Sequence, residues 1–286
     1  MTTAIVNGFG RTLGDSIIGL QALSIAVAHG AIAPRPTLFR LPGLSPIIQQ
    51  AYAAAGDLAT VDTLPWEDAT RDRPFGRVAW FTRAIDIRDF AFDPAFRGVA
   101  MIDYFLRCLG VDPAAIPAAE RRNTWLASRI SPARDGGYVL VCPRTASAMR
   151  TMPDEVHAHI LAWLGRTGGE VRTQATLPPA ESFAELCALV AGARLMVSAD
   201  TAMVHLADAF GIPCLAFFTT HRPEWRVRDY PLCRAEFLRP EGLPEAIEFV
   251  RDESDVAACR AAWFARGADL GWLDPLLETA WEGRLA

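Results

Sequence analysis

The chain has 286 residues with 28 positive and 33 negative side chains, and every positive one is arginine. Without lysine there is no P-loop lysine, no Schiff-base lysine for pyridoxal phosphate, no kinase-type strand lysine and no Tyr-x-x-x-Lys dehydrogenase pair. Any bound anion is therefore held by arginine, backbone N–H, hydroxyl or histidine. The net charge of −5 sits at one end: residues 1–240 carry 24 Arg against 23 Asp and Glu, and residues 241–286 carry 4 against 10. That balance leaves no basic face for non-specific nucleic-acid binding.

Short apolar runs alternate with helical stretches from the start. Thr3–Asn7 reads as a strand and Asp15–His29 as a helix with Asp15 at its N-cap. Pro36–Leu41, Ala59–Val61 and Arg77–Phe81 read as further strands, with a helix over Ser45–Ala55. Ala95–Leu109 reads as a helix closed by Gly110. Residues 113–137 hold Pro113, Pro117, Pro132, Gly136 and Gly137 with weak periodicity and are expected to connect two domains. A second series follows: strands at Tyr138–Cys142, Glu170–Thr173, Leu195–Ser198 and Cys214–Phe218, and helices at Asp154–Gly165, Ser182–Ala191 and Ala202–Phe210. Helices are expected over most of 241–281. Near-continuous apolar strands alternating with helices imply parallel sheets covered on both faces. The expected architecture is α/β, with two Rossmann-like domains, 1–130 (the connection beginning near 113) and 131–286, facing a cleft.

No apolar run approaches the roughly 18 residues of a membrane span, and the first residues carry no signal-peptide pattern. A cytoplasmic protein is expected, with at most peripheral membrane contact. The six cysteines show no ligand spacing and are expected as free thiols, most of them buried. The pair His157 and His159 sits at i and i+2, off any common helix face, so no metal site is expected there.

Four loops at strand carboxyl ends carry the residues that could do chemistry, which is where open α/β sheets bind ligands. The first, Asn7 to Asp15, is Gly-rich, with Gly14-Asp15 opening a helix. Its G-x-G-x-x-x-G spacing is a loose dinucleotide fingerprint, and no acid follows the next strand to hold a ribose. The second is Asp200-Thr201 with His205 four residues on, one turn along the same face, a hydroxyl and an imidazole at a helix N-terminus suited to a diphosphate. The third, Arg144-Thr145-Ala146-Ser147 through Arg150, offers two hydroxyls and two guanidiniums. The fourth, Thr219 to Arg228, includes His221 and Arg222.

These residues resemble glycosyltransferase family 9, the ADP-heptose:lipopolysaccharide heptosyltransferase family, of GT-B fold. The family's Gly-Asp ahead of an apolar helix matches Gly14-Asp15-Ser16-Ile17-Ile18. Its Asp-Thr-Gly-x-x-His-Leu-x-Ala-x-x-Gly signature matches Asp200-Thr201-Ala202-Met203-Val204-His205-Leu206-Ala207-Asp208-Ala209-Phe210-Gly211. Its Lys two residues before Trp-Pro matches Arg150 ahead of Met152-Pro153.

The resemblance implies a GT-B fold and a transferase that moves heptose or a related sugar from a nucleotide-diphosphate donor to a glycan or glycolipid hydroxyl. It implies Asp15 as the general base for an inverting attack and Asp200 as a contact to the donor sugar. It implies Thr201 and His205 on the diphosphate, with Thr145, Ser147 and Arg150 opposite, and Gly14, Arg144, His221 and Arg222 along the loops. No cofactor and no metal are implied, and the chain contains no Asp-x-Asp of the kind metal-dependent GT-A enzymes use. Ala202 stands where the family has Gly, Arg150 where it has Lys and Met152 where it has Trp. A strand–helix unit is expected to be missing or reduced between Pro65 and Phe96, so the first domain is reduced. Two further readings stay open beside the transferase: a GT-B nucleotide-sugar epimerase, and a non-catalytic relative that binds a nucleotide, a glycan or a partner protein.

Overall fold

The computed structural model describes residues 2–72, 74–132, 136–247 and 249–284 (of Val78, the backbone alone). The chain divides into two compact units. The first comprises Met1–Ser131 with Glu181–Phe183, the second Pro132–Ala180 with Ala184–Ala286.

The first unit carries β1 (Thr3–Val6), α1 (Leu13–Ala28), β2 (Thr37–Arg40), α2 (Pro46–Ala53), β3 (Thr60–Thr63), β4 (Arg83–Asp86), α3 (Met101–Cys108) and α4 (Thr124–Ala127). Its four strands are parallel in the order β3-β2-β1-β4. Every residue of β1 is buried, whereas the edge strand β3 reads Thr-Val-Asp-Thr and is polar and half exposed, which discourages pairing with another chain. Helix α1 is apolar around much of its circumference because it has several neighbours: it packs on α2, α3 and α4. The indole of Trp125 on α4 donates to the Ile17 carbonyl at 3.2 Å, and Gln21 on α1 accepts from the Trp125 N–H at 3.0 Å while donating to the Glu120 carbonyl at 2.6 Å. Residues 113–130, expected as a connection, therefore lie on α1 as far as α4.

The second unit carries β5 (Tyr138–Cys142), α5 (Asp154–Arg166), β6 (Val171–Thr173), α6 (Phe183–Ala191, of which Phe183 clusters with the first unit), β7 (Ala193–Ala199), α7 (Ala202–Phe210), β8 (Cys214–Phe218), β9 (Cys233–Phe237), α8 (Glu253–Ala262) and α9 (Asp274–Trp281). Five parallel strands run in the order β6-β5-β7-β8-β9. Val139, Val141, Leu195, Val197, Leu215 and Phe217 point to one face, where Ile160 and Leu164 of α5, Trp263 after α8 and Leu277 of α9 cover them. The two parallel sheets bear out the α/β expectation.

Several elements differ from expectation, each for a physical reason. The strand expected at Arg77–Phe81 is a 3-10 turn over Val78–Trp80, and β4 follows at Arg83–Asp86. Phe75 and Phe81 there meet Phe39 edge-on at 5.0 and 5.8 Å, and the Arg77 guanidinium lies 5.7 Å from the same ring, so the segment lies across the sheet and does not join it. Between β3 and β4 the described residues hold only 3-10 turns and no α-helix, so this unit is reduced as expected. The helix expected over Ala95–Leu109 begins only at Met101, because Gly98 takes φ +69 and breaks the turn that Pro94–Phe96 starts. Strand β9, Cys-Arg-Ala-Glu-Phe, was not expected at all: as a half-buried edge strand it alternates too weakly to show. In the C-terminal segment helix is confined to α8, a 3-10 turn over Gly271–Leu273, and α9. All six cysteines are free, and four are buried, with Cys108 and Cys233 partly exposed.

Candidate functional site

Helix α1 begins two residues earlier than expected, at Leu13, which changes the place of Asp15. Thr12 is the N-cap; its hydroxyl accepts from the Asp15 N–H at 3.2 Å. Asp15 is thus the third helical residue, not the cap, and its carboxylate lies in the first turn, at the positive end of the helix dipole. The loop before it takes an unusual path. Asn7, Gly8, Phe9 and Gly10 all have positive φ, at 84, 25, 62 and 93°. Phe9 fills the turn, fully buried and edge-on to Phe105 at 5.1 Å, against Gly19 of α1, where a Cβ would stand 1.9 Å from the Phe9 ring. A turn filled by its own side chain holds Asp15 in place. At Gly10 a Cβ would meet Phe90 at 2.8 Å and Asp15 Oδ2 at 3.2 Å, so the carboxylate lies directly over a glycine that nothing else can replace. Gly14 is buried at the second helical position.

In the second unit the observed N-cap of α7 is Thr201, whose hydroxyl accepts from the Met203 N–H at 3.0 Å. Asp200, reached from the end of β7, is therefore free of capping duty. It is 4% exposed, and its Oδ2 accepts from Arg150 Nη1 at 3.4 Å. Ala202 is the first helical residue, its methyl half-buried at the entrance to the helix. One turn on, His205 is buried, and burial pushes its pKa down to about 4; Asp200 opposes that shift, while Arg226 and Arg150 add to it. The imidazole is neutral at pH 7. Its Nδ1 is 2.9 Å from the Tyr230 hydroxyl.

The loop after β5 is tied by its own hydroxyls. Thr145 Oγ1 donates to the Ser147 carbonyl at 2.5 Å and accepts from the Ser147 N–H at 3.0 Å, and the Thr145 N–H donates to Thr151 at 3.2 Å. Thr145 therefore shapes the loop, and Arg150 reaches Asp200 from it. Ser147 is half-buried and Arg144 is exposed.

The loop after β8 divides in two. His221 is buried with Nδ1 at 2.8 Å from the Thr220 hydroxyl, and Arg222 pairs with Glu245 at 2.8 Å, so both lie with residues 245–247. From this segment the Tyr230 hydroxyl reaches His205, and the Arg226 charge bears on it. The sequence reading left Tyr230 out and passed over Arg226 within its loop. Neither stands at a helical or strand spacing from His205; only their position after a strand carboxyl end hinted at them.

His157 and His159 turn to different partners, Thr173 at 2.9 Å and Asp274 at 2.7 Å. Among the described residues no helix is long and apolar enough to cross a membrane.

The arrangement is thus an ionisable carboxylate at one helix start, and an arginine-flanked helix start carrying a hydroxyl and a neutral imidazole at another. Residues 139–232 match the family described as glycosyltransferase family 9 (heptosyltransferase). Solved structures share the fold across most of the chain. Escherichia coli ADP-heptose lipopolysaccharide heptosyltransferase II is 13% identical, with 98% of this chain and 99% of that one covered and a TM-score of 0.56. Heptosyltransferase WaaC of E. coli, solved with ADP, is also 13% identical, with 85% and 94% covered and a TM-score of 0.55. The iron-containing dodecameric glycosyltransferase TibC of enterotoxigenic E. coli H10407 is 16% identical, with 98% and 76% covered and a TM-score of 0.62. A sequence search of curated proteins finds no match. The family match bears out the resemblance over residues 139–232, where the chain carries a glycosyltransferase family 9, heptosyltransferase-like domain, and the solved structures extend the likeness in fold, GT-B, to the rest of the chain.

Proposed function

We propose that the protein is an inverting glycosyltransferase that moves heptose or a related sugar from a nucleotide-diphosphate donor, ADP-linked in the first instance, to a hydroxyl of a glycan or glycolipid, without a catalytic metal. The observation that carries this reading is the gathering of Arg150, Asp200, His205 and Arg226 around the start of α7.

In the proposed reaction Asp15 takes the proton of the acceptor hydroxyl. The oxygen attacks the anomeric carbon from the face opposite the diphosphate, and the bond to the leaving phosphate breaks with inversion. The leaving diphosphate gains negative charge, which Arg150 and Arg226, the Thr201 cap and a hydrogen bond from His205 stabilise. With two guanidiniums serving the phosphate side, the charge a divalent ion would neutralise is met by the chain itself. In this reading Asp200, held by Arg150, accepts from a sugar hydroxyl. The ADP and ADP-heptose bound in the E. coli relatives support the donor class.

Calorimetric titration of ADP, UDP and GDP, each with its sugar, tests the reading. Binding of one of them by the wild type is expected. Asp15→Asn should keep that binding and lose about 10²–10⁴-fold in transfer. A wild type that binds no nucleotide overturns the proposal. Ala202, whose methyl narrows the helix entrance, favours one second reading: a chain that binds a nucleotide and transfers nothing. Tight nucleotide binding with no turnover of any donor would select it.

A further inference from the structure

The loop between β8 and β9 brings an aromatic hydroxyl to a buried imidazole. Tyr230 Oη lies 2.9 Å from His205 Nδ1, with the two rings edge-on at 87°. His205 is 4% exposed and Tyr230 7%, so the hydrogen bond is shielded from water. The tyrosine is itself fixed by a turn. Its N–H donates to the Val227 carbonyl at 3.1 Å, and its carbonyl accepts from the Cys233 N–H at 3.2 Å, where β9 begins.

Charged groups bear on the imidazole from three segments: Asp200 ahead of α7, Arg150 from the loop after β5 and Arg226 from the loop after β8. A second ring proton would bury a cation beside two guanidiniums, so the ring carries one. Which nitrogen holds that proton is set by the hydrogen bond the other makes. A phenol oxygen shares its lone pair with the ring and is a better donor than acceptor. A proton on Nδ1 would also leave a lone pair on Nε2, which repels an anionic oxygen.

We propose that Tyr230 is a positioning residue: its hydroxyl donates to His205 Nδ1, fixes the imidazole proton on Nε2, and so makes a histidine without charge a hydrogen-bond donor to a phosphate oxygen of a nucleoside diphosphate. The ligand rests on the transferase reading above; the tautomer does not. The device lets a buried group meet a phosphate oxygen with no cation to desolvate, leaving charge compensation to Arg150 and Arg226.

Long-range proton–nitrogen NMR on the full chain, labelled with ¹⁵N-histidine, reads the protonation of each ring nitrogen. The chain has five histidines, and the His205 signals are those missing from His205→Gln. The expected wild-type spectrum shows a bare Nδ1 and a protonated Nε2, unchanged between about pH 5.5 and 8. Tyr230→Phe should give a mixture of tautomers at His205 and bind ADP on the order of tenfold more weakly. A proton on Nδ1, a doubly protonated ring at pH 7, or a Tyr230→Phe spectrum identical to wild type overturns the proposal. A wild type with the Nε2 proton that binds neither ADP, UDP nor GDP overturns the ligand and the transferase reading together, and supports the tautomer lock alone. ADP binding equal in wild type and Tyr230→Phe overturns the positioning role and leaves the transferase reading intact. If Tyr230→Phe fails to fold, the wild-type spectrum still decides the tautomer.

Discussion

Gly10 meets two demands that no other residue satisfies together. Its φ of +93° lies where L side chains are strained, and the space a Cβ would take belongs to Phe90 and to Asp15 Oδ2. Gly10→Ala should therefore cost about 1–3 kcal/mol of stability, read as a shift in denaturation midpoint. It should also push the Asp15 carboxylate aside. If Asp15 is the base, the variant loses kcat with little change in KM for the donor; an unchanged kcat would remove Asp15 from that role.

His205 gives a second prediction at the same scale, with its sign fixed by linkage. Its folded pKa is lowered to about 4 against an ordinary 6.5. Between those values the unfolded chain takes up a proton that the folded chain refuses, so stability falls as pH falls through that window. The loss is on the order of 3 kcal/mol by pH 4. Urea midpoints at pH 7 and pH 4.5 should converge in His205→Gln relative to wild type; equal pH dependence in both would show that the imidazole is not buried unprotonated.

The signature from Asp200 to Gly211 makes Thr201 and His205 readable together, since i and i+4 share a helix face. Tyr230 was not readable, because it reaches His205 through a turn between two strands. No local period records such a contact.

The elements show why capping had to be read with care. Both helix starts that matter carry an aspartate within three residues of the true cap: Thr12 caps α1 and leaves Asp15 in the first turn, and Thr201 caps α7 and leaves Asp200 to Arg150. Spacing alone names several polar residues near a helix start, and only the backbone angle selects the cap: Thr12 and Thr201 are extended, at φ −106 and −139°. The shift of assignment has a consequence for α7. Thr201→Ala removes the acceptor for the Met203 N–H and should cost about 1 kcal/mol, while Thr201→Ser keeps the oxygen and most of that stability. If the same hydroxyl serves the diphosphate, nucleotide binding weakens in the alanine variant by more than the loss of fold explains, and calorimetry on the folded fraction separates the two. Strands β4 and β9 were illegible for a related reason. Arg-Ala-Ile-Asp and Cys-Arg-Ala-Glu-Phe are edge strands with charges in them, and a half-covered strand has no continuous apolar run to betray it. The buried central strands, by contrast, were read almost to the residue.

At the scale of the molecule, the second unit holds its sheet and the residues around the start of α7 on one apolar core. Trp263 is fully exposure-free in that core, stacked at a tilt on Phe217 of β8 at 5.2 Å, one residue before the strand ends in the loop that leads to Thr219. Thr219 in turn donates to the Met149 carbonyl at 2.7 Å, next to Arg150. The chain of contacts runs from the acidic C-terminal segment to the guanidinium beside Asp200. The acidity and the core role are compatible because most of the acids face outward, Glu241, Asp252, Glu253, Asp269, Glu278 and Glu282 being exposed, while the buried Asp255 is paired with Arg251. Trp263→Ala should cost about 3–5 kcal/mol, since so large a side chain leaves a cavity that parallel strands cannot close. Hydrogen exchange should then show protection lost across β5, β7 and β8, with β1 and β2 of the first unit unchanged, because each unit buries its own sheet. Equal loss in both sheets would mean that the two units unfold as one, and that the C-terminal helices support the whole chain.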